Sequence, residues 1–107
     1  MEHIRPEQLN AWLSDTGRGK PVLLDVRENW EFQTAHIAGS VLIPMGGVST
    51  RHAELDPQAE IVVICHHGGR SMQVAGFLEH KGFSKVYNLT GGVNAWARTV
   101  DPSMPTY

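Results

Sequence analysis

A chain of 107 residues, 41% apolar and 19% charged, has the length and composition of one compact globular domain and is too short for two. A formal net charge of −2 offers no basic surface for nucleic acid or an anionic membrane, and six histidines leave the charge near neutrality soft. No window is long and apolar enough to span a bilayer, and Met1 to Pro6 contain no signal-peptide core, so a cytoplasmic location is expected.

In chain order, Pro6 stands in the first turn of a predicted helix whose apolar face is Leu9, Trp12 and Leu13. Ser14 to Pro21 is rich in turn residues. Its Gly19-Lys20 pair is followed by Pro21 where a phosphate loop needs Ser or Thr, and the spaced first glycine is missing, so it reads as a plain loop. Val22 to Val26 is a predicted buried strand running into the charged cluster of Asp25, Arg27 and Glu28. Asn29 is placed to cap a short helix from Trp30 to about Ala35. Val41-Leu42-Ile43 is a strand stopped by Pro44, and the less regular stretch to Pro57 holds one short helix around Arg51 to Leu55.

Ile61 to Ile64 is uniformly apolar, as a fully buried strand would be, and Ser71 to His80 reads as a helix. His80 and Lys81 suit its last turn, and Gly82 supplies the stop. Lys85 to Leu89 is the last strand, Val93 to Arg98 a short last helix, and the tail from Asp101 is extended. Strands alternate with helices, and the middle strands are solidly apolar. That pattern predicts a parallel sheet covered on both faces, a single three-layer α/β domain over residues 1–107.

Cys65 is the only cysteine, and it opens the run Cys65-His66-His67-Gly68-Gly69-Arg70-Ser71 between the apolar strand and the helix. Open α/β sheets place their ligands at the carboxyl ends of strands, and a helix N-terminus with its loop amides favours an anion. A free thiol is only a few per cent ionised at pH 7; lowering its pKa by about two units requires roughly 2.7 kcal/mol of preferential stabilisation of the anion. The dipole, a nest of loop amides and the charge of an inward-pointing Arg70 are together sufficient, and Gly68 and Gly69 offer the positive φ that such a nest needs somewhere. A lone cysteine has no internal resolving partner, so whatever it forms covalently must be discharged by another molecule. Metal binding is not expected: Cys65, His66 and His67 are consecutive and cannot easily converge on one tetrahedral centre. Four residues separate Cys65 from Arg70, a tighter ring than a phosphate cradle and better suited to the outer sulfur of a persulfide.

The chain resembles the rhodanese-like family, in particular its small single-domain sulfurtransferases. The cysteine loop carries the resemblance together with Leu24 to Phe32, continuing into Ala35 to Ser40 and Ile43-Pro44; with Gly91-Gly92-Val93-Asn94-Ala95-Trp96; and with the opening Ile4 to Leu9. Ala35 departs from the pattern, standing where the family carries Gly before His. The resemblance implies a five-stranded parallel sheet flanked by helices, a first strand at the opening, and a two-step ping-pong reaction. Cys65 would take sulfane sulfur from a donor such as thiosulfate and pass it to cyanide, a thiol or a protein cysteine. The alternative implied is a sulfur-relay module that carries a persulfide to one protein partner. No cofactor is called for.

The candidate site is therefore catalytic Cys65, with His66, His67, Gly68, Gly69, Arg70 and Ser71 as active-site loop and substrate-binding residues. Arg70 can attract an anionic donor and polarise the sulfur, or form an ion pair with Asp25, Glu28 or Glu31. His66 and His67 are expected to line the mouth and to bring partial positive charge or simply be solvated. Asp25 is expected to orient the loop through its backbone, and Arg27 to pair with a carboxylate such as Glu31. Trp12, Trp30 and Trp96 are expected to pack helices onto the sheet, with Trp30 also placed to border the site. His36 and His52 are assigned no catalytic role.

Overall fold

In the computed structural model, which describes residues 1–107, five strands form one parallel sheet in the order β1-β5-β4-β2-β3. They are β1 (Glu2–Ile4), β2 (Val22–Asp25), β3 (Val41–Leu42), β4 (Ile61–Ile64) and β5 (Val86–Leu89). The helices are α1 (Pro6–Ser14), α2 (Asn29–Thr34), α3 (Val48–Arg51), α4 (Gly69–His80) and α5 (Gly92–Thr99). No helix is long and apolar enough to cross a membrane.

Strand alternation divides the core into two layers. Leu24, Val26, Ile61, Val63, Cys65 and Val86 share one cluster with Val74, Ala75 and Leu78 of α4. Leu23, Val62, Ile64 and Leu89 share the other with Leu9 and Trp12 of α1 and Val93 and Trp96 of α5. β4 lies in the middle of the sheet and is buried on both faces, which is why it carries four consecutive apolar residues. Cys65 continues the α4 side of that strand.

Several expected boundaries shift for local reasons. α2 begins at Asn29, because the Glu31 carboxylate accepts the Glu28 N–H at 2.9 Å and makes Glu28 the capping position. α4 begins at Gly69, two residues before the expected start, with the Gly68 carbonyl accepting from the Met72 N–H at 3.2 Å. The irregular stretch after Pro44 is helical earlier than expected: α3 lies between single 3-10 turns at Met45–Gly47 and His52–Glu54. The tail is not simply extended. The Met104 N–H donates to the Asp101 carbonyl at 3.1 Å, and Tyr107 comes to lie against His66.

Candidate active site

The loop after β4 is fixed from behind by α5. The Val93 N–H donates to the Cys65 carbonyl at 2.8 Å and the Asn94 N–H to the His66 carbonyl at 3.1 Å, so two free donors of that helix's first turn hold the loop. Gly92 makes the approach possible. It has φ +58°, and a Cβ there would collide with the Cys65 and His66 carbonyl oxygens.

With its first carbonyls turned toward α5, the loop reverses at Gly68, φ +110°, whose N–H donates to Cys65 Sγ at 2.9 Å. Ser71, fully buried at the start of α4, places its Oγ 3.3 Å from the same sulfur. The Ser71 hydroxyl lies 3.1 Å from the Gly68 carbonyl and is hydrogen-bonded to Asn88 Oδ1. Cys65 itself is 1% exposed. The expected nest of amides is thus reduced to one amide and one hydroxyl at the sulfur, both neutral dipoles.

The charges stand beside this pocket and are paired with one another. Arg70 donates to both oxygens of Glu31, at 2.6 and 2.9 Å, so of the expected alternatives the ion pair is the one formed. That pair holds the Glu31 carboxyl down at about 2, with the Glu28 N–H and the Tyr107 hydroxyl assisting against the cost of burial. Arg27 does not pair with the Glu31 carboxylate as expected. Its guanidinium is fully buried and grips both oxygens of Asp25 at 2.8 to 3.1 Å. The remaining N–H groups donate to the Glu31 and Ala35 carbonyls and to the Tyr107 hydroxyl, at 3.3, 2.6 and 2.8 Å. All five donors of this buried cation are satisfied.

Asp25 accepts the Arg27 side chain and its N–H, and no bond runs from its carboxylate to the cysteine loop as had been expected. The reason is parity: Asp25 pairs with Ile64, whose side chain is on the face opposite to Cys65. His66 is half-buried and stacks on Tyr107 with 4.3 Å between ring centres, while His67 is exposed beside it. Burial, and then the neighbouring His67, push the His66 pKa down, which works against the positive charge expected of this ring. Trp12 and Trp96 are in the core as expected, whereas Trp30 is 60% exposed and meets the edge of Tyr107. His36 stacks on Phe32 and His52 meets the edge of Phe77, both remote in contact from the loop.

Two contributors, Tyr107 and Asn88, were not named from the sequence. Tyr107 was invisible because only a folded-back tail brings it to Arg27 and Glu31. Asn88 did leave a signal, as a lone amide in the otherwise apolar run Val86 to Leu89.

Residues 6–99 match the model of the Rhodanese-like domain. The chain belongs to the rhodanese-like family. This rhodanese-like chain is 38% identical over 99 residues to the thiosulfate sulfurtransferase GlpE of Pseudomonas savastanoi pv. phaseolicola, covering 92% of this chain and 90% of that one. It is 46% identical over 74 residues to the proposed sulfur carrier protein YrkF of Bacillus subtilis, covering 69% of this chain and 40% of that one. The Rhodanese-like/PpiC domain-containing protein 12 of Arabidopsis thaliana is 38% identical over 112 residues, and this chain spans 38% of its length. Among solved structures, a rhodanese-related protein of Thermoplasma volcanium superposes with a TM-score of 0.84 at 27% identity, covering 94% of each chain. The five-stranded parallel sheet is that of a rhodanese-like domain, and two of these relatives are named for sulfur transfer and sulfur carriage.

Proposed function

We propose that this rhodanese-like chain moves sulfane sulfur through a persulfide on Cys65. The supporting observation is the placement of Cys65 Sγ at the carboxyl end of the central strand, 2.9 Å from the Gly68 N–H and 3.3 Å from the Ser71 hydroxyl. In the first step the Cys65 thiolate attacks the outer sulfur of thiosulfate. A new S–S bond forms, the bond to the sulfonate breaks, and sulfite leaves with that electron pair. In the second step cyanide, a thiol or a protein cysteine attacks the outer sulfur of the persulfide and expels the Cys65 thiolate. Both anionic states gain from the Gly68 N–H and from a hydroxyl proton turned toward sulfur. His66, His67 and Gly69 line the mouth.

Arg70 uses only two of its N–H groups on Glu31 and is partly exposed, which leaves donors for the sulfonate of an incoming anion. Arg70→Ala should raise the thiosulfate KM about tenfold, the scale of one charge-assisted hydrogen bond, and leave discharge by cyanide unchanged. An unchanged KM would make Arg70 a brace for Glu31 alone.

A relay to one protein partner is the second reading, supported by the similarity to YrkF and by the near-complete burial of Cys65. Intact mass spectrometry after thiosulfate exposure tests the common step. The expected result is a gain of one sulfur atom, reversed by cyanide and absent from Cys65→Ser. No gain in the unaltered protein rejects both readings. Saturable turnover with a small thiol then favours the enzyme, and slow turnover accelerated by one protein favours the relay.

A further inference from the structure

Asn88 is 2% exposed and stands in the middle of β5, where the neighbouring strand positions are apolar. A buried amide is costly unless it is fully hydrogen-bonded, and Val or Ile would suit this strand without that cost. Its partners explain its presence. Asn88 pairs in register with His3 of β1 and Val63 of β4, so its side chain shares the sheet face of Val63 and, one pleat further, Cys65. One end of the amide meets the buried Ser71 hydroxyl, and the other lies 3.3 Å from Nδ1 of His3 on the exposed edge strand. An unbroken polar line therefore runs from Cys65 through Ser71 and Asn88 to His3.

The line has a direction. With Cys65 as a thiol, the S–H donates to Ser71 Oγ, the hydroxyl donates to Asn88 Oδ1, and Asn88 Nδ2 donates to His3 Nδ1. A sulfur anion accepts only, so the single Ser71 proton must turn toward it. Ser71 Oγ would then face Asn88 Oδ1 with no hydrogen between them. Rotating the amide by half a turn removes that conflict: Nδ2 donates to Ser71, and Oδ1 now requires a proton on His3 Nδ1. No proton crosses the line. The hydroxyl and amide hydrogens re-aim, and the exposed His3 ring moves its own proton between nitrogens through solvent.

We propose that Asn88 is a positioning residue for sulfur transfer, its amide turning over with the charge of the Cys65 sulfur so that the Ser71 hydroxyl accepts from the thiol and donates to the thiolate and persulfide, while His3 reports the turn. This rests on the persulfide reading above. In 15N-histidine NMR, His3 Nδ1 should be unprotonated in Cys65→Ser, which keeps a neutral hydroxyl donor in the thiol's place, and protonated in the unaltered protein after thiosulfate loading. His3→Gln assigns the signal. In single-turnover loading, Asn88→Ala should slow sulfur uptake about tenfold, one neutral hydrogen bond's worth, without changing thiosulfate affinity. In a Ser71→Ala background the same substitution should add nothing, since its effect passes through the hydroxyl. Identical His3 nitrogens in the two states, or an Asn88→Ala effect undiminished without Ser71, overturn the proposal. The NMR arm leaves His3, Ser71 and Asn88 unaltered and so does not depend on how their variants fold. Normal sulfur loading with an unmoved His3 defeats this inference alone; no loading at all defeats the persulfide reading and this one with it.

Discussion

Two polar regions adjoin one another in this molecule and are built on opposite principles. Around Cys65 every contact to sulfur is a neutral dipole, the Gly68 N–H and the Ser71 hydroxyl. Beside it, Asp25, Arg27, Glu31, Arg70 and Tyr107 form a network in which the cations meet carboxylates directly. Charge thus forms the wall of the site, and adjustable dipoles form its floor. A dipole can reverse as the sulfur gains or loses a proton, whereas a buried ion pair is held by the cost of separating its members.

The sharpest way to break the contrast is to remove the most buried charge. Arg27→Leu leaves the fully buried Asp25 without its counter-ion and should cost about 3–5 kcal/mol, read by urea unfolding. A loss below about 1 kcal/mol would show that the wall is held by packing alone.

Acid separates the regions without mutation. The folded Glu31 carboxyl sits at about 2, below the ordinary 4.5. A depressed carboxyl contributes stability in full above its unfolded value, and that contribution disappears as pH falls from about 4.5 through about 2. Stability should therefore decline across that window, and Arg70→Ala should remove most of the dependence, because Arg70 is the largest cause of the shift. The same acid slope in both proteins would assign it to other carboxylates.

The smallest expected effect is that of Tyr107→Phe. The ring can still stack on His66, but the buried Arg27 loses one acceptor and Glu31 one donor, a cost of about 1–2 kcal/mol. Unchanged melting would mean that the tail does not close the network in solution.

Most of the architecture was legible because it depends on patterns short in sequence. The four consecutive apolar residues of β4 read as a strand buried on both sides, and Gly68 stood out as a place for positive φ, whereas the close approach of Gly92 to the cysteine loop came only with the fold. The cysteine loop was equally plain, since strand end, glycine pair and helix start are consecutive. Asp25 and Arg27 were misassigned in their partners. The face of a strand-end residue follows from alternation, but which guanidinium meets which carboxylate depends on where α2 and the tail are packed.

The sequence by itself determined the layered parallel sheet and the position of the thiol at the end of its middle strand, because hydrophobic periodicity and local backbone permission decide both. Tertiary structure alone decided that Arg70 is bound to Glu31, that Tyr107 returns to Arg27, and that Asn88 connects Ser71 to His3. These contacts join residues 39, 80, 17 and 85 positions apart, and no local propensity encodes them. They exist because buried polar groups must find partners, and only the packed chain determines which partners are within reach.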